Sequence, residues 1–162
     1  MATTTLTTPN SSLFATFRLR DAHYALDAEV VLEVIRVGEI TPVAHAPQQV
    51  IGVINLRGRI VTLIDMGVSL GLPTAVRTAL SRILIVEDAG EFTGLLADEV
   101  SDVTDVGSDE IQPTPANIPL ERLRYCHGVF RRSERVVLLL DAKSLLDVAH
   151  VSTNSSSGSS IS

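Results

Sequence analysis

The residues best able to do chemistry are the histidines and the single cysteine, and their spacing favours no site. The histidines are His23, His45, His127 and His150. No two of them stand four positions apart and no HExxH motif is present, so a metal site is not expected. Cys126 and His127 are adjacent, and on a strand their side chains would point to opposite faces. We therefore expect Cys126 to be a small buried hydrophobe and not a nucleophile.

Two further kinds of site can be weighed from the sequence. The phosphate-binding patterns GxxxxGK[ST] and GxGxxG are missing, so no nucleotide cofactor is expected. Six acidic residues fall close together, at Asp98, Glu99, Asp102, Asp105, Asp109 and Glu110. They lack the dense spacing of a calcium loop. A solvated strand whose charges protect a sheet edge is the favoured interpretation. The sequence thus predicts a protein that is not an enzyme and needs no cofactor.

The segment GVINLRG, residues 52–58, carries the most information. Val50–Leu56 reads as a strand that a hairpin turn at Arg57–Gly58 joins to the next strand, with Gly58 supplying a positive φ. A second interpretation stays open beside this one. Asn55 and Arg57 would be presented at the tip for recognition, since arginine combines five donors with a planar apolar face.

Glu33 is an acid within the apolar run VVLEVI. A lone carboxylate is costly to bury unless it is paired. Glu33 therefore lies either on the solvent face of a strand or beside a cation such as Arg57.

Short apolar runs separated by turn residues must position these side chains. The runs are Leu13–Leu19, Tyr24–Ala28, Val30–Val37, Ile40–Val43, Val50–Leu56, Arg59–Ile64, Arg82–Val86, Thr93–Ala97, Val100–Val106, Cys126–Phe130 and Arg135–Leu140. Many short strands at this spacing predict an all-β sandwich or barrel. Helices are expected only as short turns, among them one capped by Asp65 and ended by Gly71 and another capped by Asp141.

An internal repeat organises the strands. GVINLRGRIVTLIDMGVSL (52–70) and GVFRRSERVVLLLDAKSLL (128–146) match at an offset of 76 positions (128 against 52). The match aligns Gly52 with Gly128 and Asp65 with Asp141. Upstream, Val31-x-Glu33-Val34 resembles Val100-x-Asp102-Val103. Units of about 65 residues would be marginal alone, so we infer that two copies share one core.

Bulk properties narrow the class further. A net charge of −6 and a pI near 5.1 argue against nucleic acid and against an anionic membrane surface. One cysteine favours a reducing compartment, and no apolar run reaches the roughly 20 residues of a membrane span. The start of the chain lacks the features of a signal peptide. We expect a soluble, cytoplasmic domain over residues 13–148, with disordered tails at 1–12 and 152–162.

Several motifs together resemble the CheW family. They are YALDAEVVLEVIRVGEITPV, PQQVIGVINLRGRIVTLIDM, GLLADEVSDV, RYCHGVF and VVLLLDAKSLL, in the family's order. The resemblance implies two five-stranded SH3-like β-barrels packed around a shared core. It places residues 18–80 in the first barrel, and residues 81–148 with the N-terminal strand 13–17 in the second. Thr62 departs from the family, where many members have proline, and threonine suits a strand.

The resemblance also implies a function. CheW-like proteins are scaffolds that couple chemoreceptors to the histidine kinase CheA, binding its regulatory domain and the receptor's cytoplasmic tip. The matching receptor-binding residues are Val31, Glu33, Asn55, Leu56 and Arg57. Gly52 and Gly58 are expected at structural turns. An adaptor of a twitching-motility or other chemosensory-like pathway is the alternative with the same fold. An enzyme of this size would need a convergent polar pocket, for which the sequence gives no sign.

Overall fold

A computed structural model describes residues 10–147 of the chain, and within them the backbone is mainly β-strand. The strands are β1 Ser11–Leu19, β2 Ala22–Asp27, β3 Val31–Arg36, β4 Val50–Leu56, β5 Arg59–Asp65, β6 Arg82–Asp88, β7 Glu91–Ala97, β8 Glu99–Gly107, β9 Cys126–Arg132 and β10 Arg135–Leu140. Short helices accompany them, α1 Met66–Ser69, α2 Leu120–Leu123 and α3 at 142–147, with 3-10 turns at Ala28–Val30 and Ser108–Glu110. The all-β class is confirmed. Of the predicted runs, only Ile40–Val43 is not a strand.

The strands form two five-stranded sheets, as expected from the sequence. The first sheet has the order β8-β1-β2-β10-β9 and the second the order β3-β6-β7-β5-β4. In each sheet, the segment that follows one edge strand forms an isolated bridge with the opposite edge strand. Thr41 bridges Val53 in the second sheet, and Gln112 bridges Val129 in the first. These bridges draw the two edges of each sheet towards one another, as a barrel-like curl requires.

The repeat in the sequence is also a repeat of strand pairing. Gly52 pairs with Leu63 in hairpin β4–β5, and 76 positions later Gly128 pairs with Leu139 in hairpin β9–β10. Each hairpin has a register shift next to its glycine. The predicted equivalence of these two segments is therefore confirmed at the level of individual residue pairs.

The remaining strands correspond at a second offset of 69 positions (103 against 34, and 84 against 15). Val34 of β3 pairs with Leu84 of β6, and the equivalent Val103 of β8 pairs with Ala15 of β1. Strand by strand, β8-β1-β2-β10-β9 therefore matches β3-β6-β7-β5-β4. The two offsets differ by seven positions because the connection that precedes β9, which contains α2, is longer than the one that precedes β4.

The expected division of the chain at residue 80 is not the observed one. β1 joins β8, β9 and β10 as expected, but β2 joins them too, whereas 18–80 was assigned to the other unit. Likewise β6 and β7, expected within 81–148, belong to the second sheet, where β6 pairs with β3 and β7 pairs with β5. Hairpins β1–β2 and β6–β7 reach their sheets through the parallel pairs β2–β10 and β5–β7. Parallel partners share no connecting turn, so no local sequence signal marks them.

The ends of the domain also differ slightly from expectation. β1 begins at Ser11, so residues 11 and 12 belong to the first sheet and not to an N-terminal tail. Residues 1–9 and the predicted tail 152–162 lie outside the described residues.

Three apolar clusters hold the sheets together. The largest is shared, and it joins Phe17 and Tyr24 of the first sheet to Leu84 and Leu95 of the second. Each sheet also encloses a cluster of its own, around Phe130 in the first and in the second around Ile54, Val61, Leu63, Ile83, Ile85 and Leu96. Strand β6 contributes alternate residues to the shared core and to the interior of the second sheet, which explains its uninterrupted apolar run.

Gly52 lies inside β4 and not at a turn, which corrects the sequence-based assignment. A Cβ atom there would collide with the carbonyl oxygen of Thr41 and lie 2.9 Å from its carbonyl carbon. Gly128 stands in the same relation to the Gln112 segment, where a Cβ would lie 3.1 Å from the Gln112 carbonyl oxygen. Glycine is needed at both positions because the bridging segment crosses directly over the strand.

Candidate partner-binding surface

The β4–β5 turn presents Arg57 to solvent. Arg57 and Gly58 have φ angles of +52° and +85°, which is the pattern of a two-residue type I′ hairpin. The Asn55 side-chain oxygen accepts a hydrogen bond of 2.8 Å from the Gly58 N–H. The Asn55 side chain therefore stabilises the turn by this hydrogen bond. The Arg57 side chain, at the tip of the turn, is 70% exposed. The positive φ predicted for Gly58 is confirmed.

Glu33 and Arg57 form an ion pair, so the second of the two possibilities for Glu33 is the observed one. The two terminal guanidinium nitrogens of Arg57, Nη1 and Nη2, donate to the two Glu33 carboxylate oxygens. The pair connects β3 to the β4–β5 turn, which are at opposite edges of the second sheet. Because the pair is solvated, it is worth only about 0–1 kcal/mol. It can therefore exchange partners at little cost.

Val31 and Leu56 flank this pair and are partly buried. Val31 packs against the shared core, and Leu56 packs against the interior cluster of the second sheet. With Glu33, Asn55 and Arg57 they form what we call the edge surface. The five residues expected to bind a receptor thus lie on the edge strands β3 and β4 and on the turn at the end of β4. Leu32 and Val34, on the opposite face of β3, are 48% and 43% exposed.

A partly buried arginine joins the two sheets, and the sequence held no sign of it. Arg20, in the β1–β2 turn, donates to both oxygens of Asp65 at 2.9 and 3.1 Å and to Asp98 at 3.3 Å. It also donates to the Pro73 carbonyl at 2.6 Å. Asp65 ends β5 and, as predicted, caps α1 through the Gly67 N–H, while Asp98 links β7 to β8. We call this group the Arg20 clamp. It fixes the position of the first sheet relative to the second.

Three of the six acidic residues in the segment 98–110 pair with arginines. Asp98 belongs to the Arg20 clamp, Glu99 pairs with Arg18 and Glu110 pairs with Arg132. The Gly107 N–H and the Arg132 guanidinium both donate to Glu110, and together they lower the pKa of its carboxyl group. β8 is an edge strand, as the interpretation of these charges required. Within residues 10–147, no three His, Cys, Asp or Glu side chains gather as a metal would require.

Burial shifts the pKa of two further reactive side chains, Cys126 and His23. Burial raises the pKa of the Cys126 thiol to about 11, although the nearby Arg122 opposes the shift. Burial, followed by the charges of Arg135 and Arg18, lowers the pKa of His23. The thiol is therefore protonated and unreactive at neutral pH.

One string does match a catalytic pattern. GVSLG, residues 67–71, fits the GxSxG form of a nucleophile elbow. In an elbow the serine occupies the sharp turn between a strand and the helix that follows. Here Ser69 is the last residue of α1, and Gly71 with its φ of +83° ends the helix. The GVSLG string therefore forms the end of a helix and not a nucleophile elbow.

Fold and surface together define a class. The chain is a β-rich binding module with two equivalent sheets around one core and a charged turn at the edge of one sheet. In the part of the chain that the structure describes, no helix is long and apolar enough to cross a membrane. The model of the CheW-like domain matches residues 13–150, and the chain belongs to the CheW family.

Individual relatives agree with that assignment. The chemotaxis protein CheW of Rhizobium meliloti is 33% identical over 129 residues, which are 80% of this chain and 83% of that protein. Protein PilI of Pseudomonas aeruginosa is 31% identical over 60% of each chain. The crystal structure of the scaffolding protein TtCheW from Thermoanaerobacter tengcongensis superposes with a TM-score of 0.72 at 28% identity, over 80% of this chain and 88% of that one. This chain is accordingly a chemotaxis scaffold of the CheW type.

Proposed function

We propose that this scaffold couples chemoreceptors to the histidine kinase CheA in the cytoplasm, without catalysing a reaction itself. One partner is the cytoplasmic tip of the receptor, and the other is the regulatory domain of the kinase. The observation that carries the proposal is membership of the CheW family together with an exposed Arg57 at the position of the family's receptor-binding motif.

The edge surface is suited to hold a receptor helix. Val31 and Leu56 provide partly exposed apolar area, on which one face of an amphipathic helix can pack. Glu33 and Arg57 provide one charge of each sign, and their solvated pair opens at little cost. A helix that carries complementary charges can therefore form ion pairs with Glu33 and Arg57 in place of the pair that these two residues form with each other. Apolar contacts then supply affinity, and the charges set the register of the helix.

The receptor-binding proposal is tested by two single substitutions, Arg57→Ala and Glu33→Ala. Each should weaken binding to a purified receptor tip by about 1–2 kcal/mol, which is roughly five- to thirtyfold in Kd. Calorimetric titration measures the affinity, and far-UV circular dichroism checks the fold. Asp102→Ala is the matched control, because Asp102 is the equivalent of Glu33 in the first sheet and should leave receptor binding unchanged.

A double variant separates recognition from internal pairing. Arg57→Glu combined with Glu33→Arg rebuilds the ion pair with reversed charges. If the pair only stabilises the turn, this variant binds as the original protein does, and the edge surface is not the receptor site. Receptor binding that stays weak in the double variant supports direct contact.

The similarity to PilI gives an adaptor of another chemosensory-like pathway some support. That similarity covers a smaller part of the chain than the similarity to chemotaxis proteins CheW does. Co-purification from the native cell distinguishes the two. Recovery of the chemotaxis kinase and its receptors supports our proposal, and recovery only of a different histidine kinase system refutes it.

A further inference from the structure

A cavity of about 290 Å³ opens at one end of the first sheet. We call it the mouth cavity, and its polar lining comes from Thr16, His23, Asp102, Thr104, Arg132 and Arg135. Thr16 lies two positions from Phe14 on β1, and His23 lies two positions from Ala25 on β2, so each shares a strand face with an interior residue. The cavity is therefore the open end of the first sheet's interior, a place where small-molecule sites often occur. Nothing in the sequence pattern indicated it.

In the second sheet apolar side chains take several of the equivalent positions, although an open depression remains beside Arg59 and Phe92. The position of His23 is taken there by Phe92, that of Thr104 by Ile35 and that of Arg132 by Leu56. Phe92, Ile35 and Leu56 all pack against the interior cluster of the second sheet.

Arg59, the equivalent of Arg135, then covers the Phe92 ring at 4.2 Å from its centroid. The same unit thus exists in a plugged form and in an open, polar form. An apolar plug is the stabilising choice, since it removes apolar area from water. Burial of apolar area therefore does not explain the polar lining at this end of the first sheet.

The charges at the mouth are of both signs and stand apart. Arg132 is already committed, because it donates to Glu110 and to the Asp105 carbonyl at 2.8 Å each. Among residues 10–147, Arg135 and Asp102 form no ion pair with each other or with any other side chain. The cavity therefore presents one cation and one anion that no protein group neutralises by direct contact.

We propose that the mouth cavity binds a small α-amino acid as a zwitterion. Its carboxylate pairs with Arg135 beside His23, and its ammonium group pairs with Asp102. A simple anion would be repelled by Asp102 and a simple cation by Arg135, so a ligand that carries both charges fits best. A volume of about 290 Å³ leaves room for a small α-amino acid.

His23 reports occupancy of the cavity. Burial is the main cause that lowers the pKa of its imidazole, the charges of Arg135 and Arg18 lower it further, and Glu99 acts to raise it. A ligand carboxylate placed against Arg135 would screen that charge and raise the pKa of His23. By linkage, the affinity for the ligand rises as the pH falls through the titration of His23.

The test uses the full chain and three small probes that differ in charge: the zwitterion L-alanine, the anion acetate and the cation methylammonium. Two-dimensional NMR follows the backbone amides of 101–104 and of Ser133 and the imidazole of His23. We expect saturable shifts and a raised His23 pKa with L-alanine, and no saturable shifts with the other two probes at equal ionic strength. Equal saturation by acetate, or no saturation by L-alanine, would overturn the proposal.

Two variants complete the experiment. Arg135→Gln should weaken L-alanine binding about tenfold or more, because a charged hydrogen-bond partner is lost. Arg59→Gln, at the equivalent position of the second sheet, should leave it unchanged. His23→Phe copies the plug of the second sheet and should abolish binding while the melting temperature holds or rises. A folded His23→Phe variant that still binds L-alanine like the original protein contradicts the proposed site.

Discussion

At the scale of single residues, two arginine ion pairs differ in what surrounds them. Arg57 and Glu33 meet in solvent, where water screens their attraction and either partner can be exchanged. Arg20 is 16% exposed and faces an Asp65 that is 2% exposed, so both charges have lost most of their water. Each therefore depends on the other for solvation. The exposed pair is suited to recognition, and the buried one to fixing the structure.

Cys126 allows a test of burial at one residue. Because its thiol has a pKa of about 11, the thiolate is scarce at neutral pH and iodoacetamide should label the folded protein about tenfold or more slowly than the unfolded chain. The labelling rate of the folded protein should go on rising with pH after that of the urea-unfolded chain has levelled off. The chain has one cysteine, so the label reports one site. Equal rates for folded and unfolded protein at neutral pH would show that the thiol is not shielded.

At the scale of elements, the repeated hairpin is a strand pair crossed by a third segment. Gly52 and Gly128 sit where that segment passes over the strand, and the bridge at the next residue, Val53 or Val129, holds it in place. The crossing brings the chain back from one sheet edge to the other. A glycine inside a strand is normally unfavourable, and its presence at both equivalent positions follows from the lack of space for a Cβ atom.

Substitution of these glycines should therefore destabilise the protein. Gly52→Ala should lower the free energy of unfolding by about 1–3 kcal/mol, because the new Cβ meets rigid backbone at Thr41. Gly128→Ala should cost less, since its nearest neighbour is the Ile111 side chain, which can move. Urea unfolding followed by circular dichroism measures both. Gly38→Ala is the control, with no heavy atom within 4 Å of its Cβ. Equal stability of the Gly52 and Gly38 variants would disprove the crowding argument.

At the scale of the whole molecule, the two halves are interlocked. Each sheet contains two hairpins and one further strand, and its strands come from both sides of residue 80, so that cutting the chain there would divide both sheets. The shared core and the Arg20 clamp then fix the sheets against each other. The edge surface depends on this arrangement, because Val31 packs on the shared core.

Removing the clamp should weaken the whole domain. Arg20→Met keeps the apolar stem but leaves Asp65 and Asp98 without their cation, at an expected cost of about 3 kcal/mol in the free energy of unfolding at neutral pH. Arg57→Met is the control, since Arg57 is 70% exposed and its ion pair with Glu33 should be worth about 0–1 kcal/mol. Similar losses for both variants, measured by urea unfolding, would refute the clamp.

The sequence alone determined what depends on neighbours along the chain. Alternating and continuous apolar runs predicted the strands, an asparagine–leucine–arginine–glycine string predicted the β4–β5 turn, and the repeat at 76 positions predicted two equivalent hairpins. Even the pairing of Glu33 with Arg57 could be suggested, because a carboxylate in an apolar run needs either water or a cation.

Only the tertiary structure decided which strands share a sheet, that Arg20 clamps the two sheets, and that one sheet end is plugged while the other is open. These features join segments far apart in the chain, such as β2 with β10, through parallel pairing or side-chain contact. Periodicity along one strand specifies which face is buried. It says nothing about which distant strand lies alongside, because that choice is made by the packing of the whole core.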